Sequence, residues 1–271
     1  VKENKMHIDV AGFSSANLTI FSFKYPVGHF FNIEDYHNFY GKEFFTKKLL
    51  KQSISPYLNK LAKDPRNNKN LYLPYNKVKQ KDYFNNPELF RLMQKNLLLK
   101  QSKNLIKKIV FLDHHTCHAH YAYYASQIQK NKSCIVTLDS VGDGFNQSIW
   151  LVNNNKLLSV VKSSECELAR IYKFITLILK MKPDEHEFKV MGLSAYSKKK
   201  YILDIYNKVF KKILKFDGLK IVHDVRPKDL FNFLLEITIH YRFDNIAGAL
   251  QFYLEKTVTE LLKRINKKYK I

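Results

Sequence analysis

The chain has 271 residues and a formal net charge of +22, from 46 basic and 24 acidic side chains. Its length is enough to bury a sizeable core in one large or two small domains, and no apolar stretch approaches the roughly 20 residues that cross a bilayer. The three cysteines are dispersed and form no Cys-x-x-Cys pair, which argues against a disulfide scaffold and favours reduced thiols in a cytoplasmic protein.

The first 106 residues predict a peripheral segment. An alternating run from Leu18 to Phe23 predicts a strand, and residues 31–105 are polar and predicted to be mostly helical. Behind Pro87, apolar side chains recur at helical spacing at Leu89, Leu92, Met93 and Leu99. We therefore expect residues 1–106 to hold an N-terminal part with a mostly helical insertion, and residues 107–271 to form the core.

From residue 107 onward, predicted strands and helices alternate, as is typical of an α/β fold. The predicted strands cover residues 108–112, 134–139, 145–152 and 156–162, the last two flanking an Asn-rich hairpin turn. The predicted helices cover residues 114–130, 167–181, 198–213, 226–240 and 244–268. In the last helix one apolar stripe contains Ile246, Leu250, Leu254, Val258, Leu261 and Ile265.

Both ends of the chain suggest a fragment of a longer protein. The sequence begins with Val1 rather than methionine. The last predicted helix is strongly amphipathic and stops abruptly near Ile271. We therefore expect further chain on both sides.

The positive charge raises the alternative of a nucleic-acid-binding protein. Only six of the 46 basic residues are arginine, and arginine is the residue suited to bidentate contacts with phosphate and guanine. The lysines are spread along the whole chain, and Asn, Ile, Tyr and Phe are also abundant, as AT-rich codon usage would produce. We therefore predict no nucleic-acid partner, although this function remains the alternative.

Four histidines fall within seven residues at the start of the helix predicted from residue 114. His114 and His118 are four residues apart, so on a helix their rings lie about 40° apart on one face, one turn from each other. This is the spacing of helical His-x-x-x-His metal pairs, and two neutral imidazoles suit Fe, Zn or Mn. His115 and His120 point elsewhere and are predicted either to support the ligands from behind or to be structural. The alternative is that the histidines lie on a solvated helix start, or that one of them hydrogen-bonds a backbone carbonyl.

An aspartate and two glycines follow the next predicted strand. Asp139 closes that strand, so its carboxylate is the natural third ligand, which favours iron or manganese. Gly142 and Gly144 in the following turn would let backbone amides approach a phosphate, and Asp139 could hold a metal that bridges phosphate oxygens. An ordinary hairpin turn is the alternative.

A third string, Lys189 to Tyr196, places Gly192 inside an apolar stretch. Glycine costs about 1 kcal/mol relative to alanine in a helix interior, so its presence needs a reason. Close approach of a ligand would supply one, and helix–helix packing is the simpler alternative.

These strings resemble the carbamoyltransferase family that includes the nodulation and antibiotic O-carbamoyltransferases. The family's His-His-x-x-His-Ala, Asp-Gly-x-Gly-Glu and Lys-x-Met-Gly-Leu-Ala-x-Tyr strings correspond, in the same order, to His114–Ala119, Asp139–Asp143 and Lys189–Tyr196. Residues Arg242–Gln251 are similar to the family's helix opening Asp-x-Ala-x-x-Leu-Gln. The similarity covers about residues 108–265.

The resemblance implies an incomplete actin/sugar-kinase/Hsp70-like (ribonuclease H-like) fold, a mixed sheet with flanking helices. It implies a transferase in which carbamoyl phosphate and ATP give a carbamoyl-adenylate. A divalent metal site, with Fe favoured over Mn or Zn, then passes the carbamoyl group to a hydroxyl of a small-molecule or glycan acceptor. His114, His118 and Asp139 would be the metal ligands, and Asp139 would also act in catalysis.

The other assignments are weaker. Sequence proximity makes His115 a candidate base. The residues implied to lie along the phosphates or the nucleotide are Gly142, Gly144, Lys189 and Gly192. A missing C-terminal domain of the same chain would make the adenylate, so the fragment is expected to be inactive alone.

The chain departs from the family pattern at two positions of the second string. Ser140 stands where the family has glycine, and Asp143 where it has glutamate. A degenerate relative without activity and a metal-dependent hydrolase that uses water as acceptor are therefore the remaining alternatives.

Overall fold

The computed structural model describes residues 7–14, 106–127, 132–224, 227 and 229–271, and single positions between 33 and 105. The predicted strand Leu18–Phe23 and nearly all of the predicted helical insertion lie outside the described residues. Within that insertion the described positions 92, 95, 96 and 99 are helical.

The described elements alternate between strands and helices, which confirms the α/β class. In chain order they are β1 (Ile8–Phe13), β2 (Ile106–Phe111), α1 (His114–Ala125), β3 (Cys134–Gly142), β4 (Phe145–Asn153), β5 (Lys156–Ser163), α2 (Leu168–Ile178), α3 (Glu187–Leu193), α4 (Lys199–Lys208), β6 (Leu214–Asp217), β7 (Lys220–His223), α5 (Leu230–Thr238) and α6 (Phe243–Tyr269). Short 3-10 helices cover Ser194–Tyr196 and Phe210–Lys212.

Three sheets hold the described strands. β1 and β2 pair in parallel, β3, β4 and β5 form an antiparallel sheet in that order, and β6 and β7 form an antiparallel hairpin. The single mixed sheet implied by the resemblance is not seen among these residues. All three cysteines are free thiols, as predicted.

The β3–β4–β5 sheet separates two layers of helix. Successive side chains of a strand point to opposite faces. Ile135 of β3 joins Trp150 of β4 in a small core against Ala119 and Tyr123 of α1. On the other face, Val136 and Leu138 pack against the large core, to which α2 and α6 contribute. The sheet therefore presents one face to α1 and the other to the main core.

Helix α6 supplies one side of the large core. Ile246, Leu250, Leu261 and Ile265 of the predicted stripe are buried, as are Tyr253 and Thr257, whereas Leu254 and Val258 are only half-buried. The buried stripe is therefore rotated slightly from the predicted one. At 27 residues α6 has the length of a membrane span, but neither it nor any other described helix is apolar enough to be one.

The β6–β7 hairpin, which the sequence did not predict, is bound to the sheet by one buried side chain. Gln147 of β4 donates from Nε2 to the carbonyl of Leu219 at 2.8 Å and accepts from the amide of Ile221 at 3.0 Å. His223 adds a buried contact of 2.7 Å with the carboxylate of Glu167, which precedes α2. These polar contacts replace strand pairing between the hairpin and the sheet.

Several predicted boundaries are corrected. β3 continues past Asp139 to Gly142, with an irregular register between Leu138 and Gly142. The helix predicted over 198–213 is divided into α4 and a 3-10 turn. The helix predicted over 226–240 is shorter, because α5 begins after Asp229, whose carboxylate accepts from the amide of Asn232 at 3.1 Å.

Candidate metal centre

The site begins at the N-terminus of α1, immediately after β2. Asp113 is the capping residue, and its Oδ1 accepts from the amide and the hydroxyl of Thr116 at 2.8 and 2.7 Å. A carboxylate at this position satisfies one of the free amides of the first turn and complements the helix dipole. The cap therefore fixes where the helix starts, and with it the face on which His114 and His118 lie.

The structure brings His114, His118 and Asp139 together, with one ligand atom from each within 4.8 Å of the others. His114 Nε2 lies 2.7 Å from Asp139 Oδ2 and 2.9 Å from His118 Nε2. His118 Nε2 lies 3.6 Å from the same carboxylate oxygen. Asp139 follows Ile135 and Thr137 on the face of β3 that α1 covers, which explains why its carboxylate meets the histidines.

A hydrogen-bond acceptor lies at each ring nitrogen of His114. Its Nδ1 lies 3.3 Å from the carbonyl of Ser14, and its Nε2 lies 2.7 Å from Asp139 Oδ2. In the tautomer that donates from Nδ1 to the carbonyl, Nε2 has a lone pair directed at the cluster, as a metal ligand needs. A backbone carbonyl on the far nitrogen is also how many metal-binding histidines are oriented.

The spacing fits a small divalent cation. Ligands bound at about 2.1 Å to one ion lie about 3.0 to 3.4 Å from each other, depending on coordination geometry. The observed separations of 2.7, 2.9 and 3.6 Å bracket that range. The His118 side chain is 53% exposed, so one side of the cluster is open to solvent. Two nitrogens and one oxygen with open positions suit Fe, Mn or Zn.

His115 is buried behind the cluster, with its ring centre 5.9 Å from that of His114 and 6.4 Å from that of His118. Trp150 Nε1 donates to Ser148 Oγ at 2.7 Å, and the hydroxyls of Ser148 and Thr137 lie 2.6 Å apart. Thr137 in turn lies 2.6 Å from His115 Nδ1. If each hydroxyl donates onward, His115 Nδ1 is an acceptor and Nε2 carries the proton. Burial lowers the pKa of His115.

The fourth histidine of the run has a local partner. His120 Nδ1 lies 2.8 Å from the carbonyl of Thr116, one turn earlier in α1. His120 is not part of the three-residue cluster.

The predicted glycine turn is a tight β-hairpin connection. Gly142 pairs with Phe145 across the strands, and the two residues between them, Asp143 and Gly144, have φ values of 53° and 86°. Two consecutive positive φ values are typical of a type I′ turn. Gly142 lies against the ring of His114, whereas a Cβ on Gly144 would meet open space.

Lys189 and Gly192, predicted to lie near the nucleotide, are on α3 and are exposed. The Lys189 ammonium lies 5.8 Å from the ring centre of its neighbour Phe188. A Cβ on Gly192 would meet nothing within 4 Å, so no close approach among the described residues explains this glycine.

Two contacts of the site were not predicted. Ser14, a hundred positions before His114, supplies the carbonyl at Nδ1, and Asp143 binds the backbone amide of His114 through Oδ2 at 2.8 Å. Asp143 stands in the predicted turn beside Gly144, so the sequence offered a local sign of it. Nothing in the sequence connects Ser14 with His114.

The chain is similar to one family model and to proteins of two organisms. A family model described as "Carbamoyltransferase N-terminus" matches residues 25–271. The uncharacterized protein MJ1058 of Methanocaldococcus jannaschii is 32% identical over 197 residues, which is 65% of this chain and 32% of that protein. A second protein of that organism, MJ1051, is 32% identical over 125 residues, 45% of this chain and 24% of the relative.

A cyanobacterial relative extends the comparison. The uncharacterized protein sll1178 of Synechocystis is 25% identical over 154 residues, which is 56% of this chain and 24% of that protein. The chain thus spans about a third or less of the curated relatives that it matches.

Proposed function

Because the chain belongs to the family of carbamoyltransferase N-terminal domains, we propose that the cluster at the start of α1 is the metal-bearing part of a carbamoyl-transfer site. The observation that carries the proposal is the convergence of His114, His118 and Asp139. These residues lie in two of the strings that the family shares, and the fold brings them together from α1 and β3.

The proposed substrates are carbamoyl phosphate, ATP and an acceptor hydroxyl on a small molecule or glycan. In the transfer step, the hydroxyl oxygen bonds to the carbonyl carbon of a carbamoyl-adenylate, and the bond from that carbon to the phosphate oxygen breaks. The hydroxyl proton passes to a base and AMP leaves. The proposed fold is actin/sugar-kinase-like with residues 107–271 as its core, completed by a C-terminal domain that forms the adenylate.

Asp139 is oriented toward the two histidines, and His118 borders the open side of the cluster. Asp139 Oδ1 accepts from the amide of Ser140 at 2.6 Å, which turns Oδ2 toward the histidines. The open side at His118 leaves room for a donor and an acceptor. When bound, a divalent cation supplies Lewis-acid stabilisation of the charge that develops on the carbonyl and on the leaving phosphate.

The proton acceptor is proposed to lie at the cluster itself. Asp139 is 29% exposed and borders the open side. His115, the other predicted catalytic residue, is fully buried, and its Nδ1 contacts Thr137. We propose that Asp139 has the catalytic role and that His115 acts by holding α1 against the sheet.

Metal titration tests the proposed ligands. The metal-free protein is titrated anaerobically with Fe²⁺, and with Co²⁺ as a spectroscopic substitute, and binding is measured by calorimetry and visible absorption. The wild-type chain is expected to bind one ion, and His114→Ala and His118→Ala are expected to bind none. The matched control is His120→Ala, in the same helix but outside the cluster, which should bind like wild type. Equal binding by all three variants would exclude these ligands.

Product analysis tests the reaction. The chain, completed by the proposed C-terminal domain, is incubated with ATP, isotopically labelled carbamoyl phosphate and a panel of hydroxyl acceptors, and products are separated by mass. A carbamate ester that requires ATP, carbamoyl phosphate and the ion supports the proposal. Release of phosphate without any carbamate ester would instead indicate a hydrolase with water as acceptor.

A further inference from the structure

The β3–β4 turn lies directly against the first metal-ligand candidate. We infer that Gly142 and Asp143 are positioning residues for His114, an inference that rests on the metal site proposed above. Gly142 acts by leaving the space that the imidazole occupies, and Asp143 acts by binding the backbone amide of the same residue. The sequence had suggested a different role for Gly142, in a cradle for phosphate.

The space at Gly142 is filled by the His114 side chain. A Cβ built on Gly142 would lie 2.1 Å from His114 Cδ2, 2.7 Å from Cγ and 3.1 Å from Cβ. The ring cannot retreat freely, because Nε2 is 2.7 Å from Asp139 Oδ2 and Nδ1 is 3.3 Å from the carbonyl of Ser14. Any side chain at position 142 therefore displaces the imidazole from its two polar partners.

Backbone conformation does not explain this glycine. Gly144 and Gly218 are the described glycines with positive φ, and Gly142 is not among them. A residue with a side chain could adopt the backbone of Gly142 without left-handed strain. The requirement for glycine thus comes from the ring of His114, and the turn itself imposes glycine only at position 144.

Asp143 holds the other end of the same residue. It is 7% exposed, and its Oδ2 accepts from the amide of His114 at 2.8 Å. Its φ of 53° lies in the left-handed region, where Asp and Asn are tolerated better than most residues. With Asp113 bound to the Thr116 amide, two carboxylates satisfy free amides at the start of α1. The turn therefore fixes both the backbone and the ring of His114.

Co²⁺ titration of Gly142→Ala tests the first contact. We expect the affinity to fall roughly 10- to 100-fold, the range for loss of groups that orient a ligand, and the visible absorption of bound Co²⁺ to change. The matched control is Gly218→Ala, which strains the backbone of the β6–β7 turn, outside the cluster, and places no atom within 4 Å of another group. It should keep the wild-type Co²⁺ spectrum and affinity. Wild-type affinity and spectrum in Gly142→Ala would overturn the inference.

A double-mutant cycle tests the contact without metal. Gly142→Ala is expected to lower the melting temperature of the metal-free chain in the presence of His114. In a His114→Ala background, most of that decrease should disappear, because the ring atoms at 2.1 and 2.7 Å are gone. An equal decrease in both backgrounds would show that Gly142 does not act through His114. The cycle remains informative even if Gly142→Ala alone is too unstable to load with metal.

Asp143 is tested by a pair of substitutions. Asp143→Asn keeps an oxygen acceptor and tolerates the left-handed backbone, so it should retain Co²⁺ binding close to wild type. Asp143→Ala removes the acceptor and should weaken binding with a changed spectrum. Equal Co²⁺ affinity in both variants would remove Asp143 from the assignment.

Metal binding by the wild-type chain separates the proposed metal site from the positioning role of the turn. If the wild-type chain binds neither Fe²⁺ nor Co²⁺, the proposed metal site and the positioning of a metal ligand are both overturned. If the wild type binds and Gly142→Ala and Asp143→Ala bind equally well, the metal site stands and the positioning role is overturned.

Discussion

Two adjacent histidines in one helical turn have opposite environments. His114 lies beside Asp139 at the open cluster, whereas His115 is fully buried against the sheet, bonded to Thr137. A residue next in sequence on a helix points about 100° away, so one turn can supply both a ligand to a surface site and an anchor to the core. The polar chain from Trp150 through Ser148 and Thr137 to His115 makes that anchor specific.

Replacing Thr137 by valine should test the anchor. Thr137→Val keeps the shape but leaves His115 Nδ1 and the Ser148 hydroxyl without this partner in a buried region. We expect the free energy of unfolding to fall by about 1–3 kcal/mol, measured by urea denaturation with Trp150 fluorescence. Thr137→Ser keeps the hydroxyl, so its free energy of unfolding should fall by less. Wild-type stability in Thr137→Val would show that the hydrogen-bond chain does not stabilise the fold.

At the scale of elements, α1 depends on its cap. Its first turn contains no acidic residue and its last turn no basic one, so the carboxylates that complement the helix dipole are the cap Asp113 and, from the β3–β4 turn, Asp143. Burial raises the pKa of Asp113, but hydrogen bonds from Thr116 and the charge of Lys162 outweigh it, and the pKa is lowered overall. Stability from this group is therefore present above the unfolded pKa and is lost as pH falls through the folded one.

Substitution of the cap should affect stability in a pH-dependent way. Asp113→Ala should lower the free energy of unfolding by about 1 kcal/mol near neutral pH, the usual cost of losing an N-cap. Asp113→Asn retains capping but not charge. Its free energy of unfolding should therefore approach that of the wild type as pH falls below about 4, where the wild-type carboxylate becomes protonated. Both are measured by urea denaturation across pH 3 to 7. If the loss of unfolding free energy in Asp113→Asn instead grew toward acid pH, it would contradict the lowered pKa of Asp113.

Elements with a local signal were predictable and those with remote partners were not. The helix predicted from residue 114 does begin there, and the His-x-x-x-His spacing predicted that His114 and His118 share a face. The β6–β7 hairpin had an Asp-Gly turn at Asp217 and Gly218, but its strands are short and rich in lysine. Its docking depends on Gln147, about 70 residues earlier, and no local pattern reports such a contact.

At the scale of the whole molecule, polar side chains link parts that strand pairing does not. Gln147 is fully buried in β4 and satisfies two backbone groups of the β6–β7 hairpin. The neighbouring contact between His223 and Glu167 links the same hairpin to the start of α2. The large core is therefore stabilised by a small number of specific hydrogen bonds as well as by apolar packing.

Loss of the Gln147 amide should destabilise the molecule as a unit. Gln147→Met keeps the length of the side chain but leaves the Leu219 carbonyl and the Ile221 amide without their side-chain partners. We expect the free energy of unfolding to fall by about 2–4 kcal/mol, since each unsatisfied buried group costs about 1–3 kcal/mol. Urea denaturation followed by circular dichroism measures the loss. A change below about 0.5 kcal/mol would show that the hairpin docks without Gln147.

Strand β3 lies between two helical layers and gives alternate residues to each. A conservative exchange at Ile135 or Val136 changes only the packing of one layer. Insertion or deletion of one residue between Cys134 and Leu138 would turn every later side chain over, sending the Asp139 carboxylate into the apolar interior and an aliphatic group toward the histidines. We therefore expect relatives that keep this chemistry to vary in the composition of the strand but not in its length.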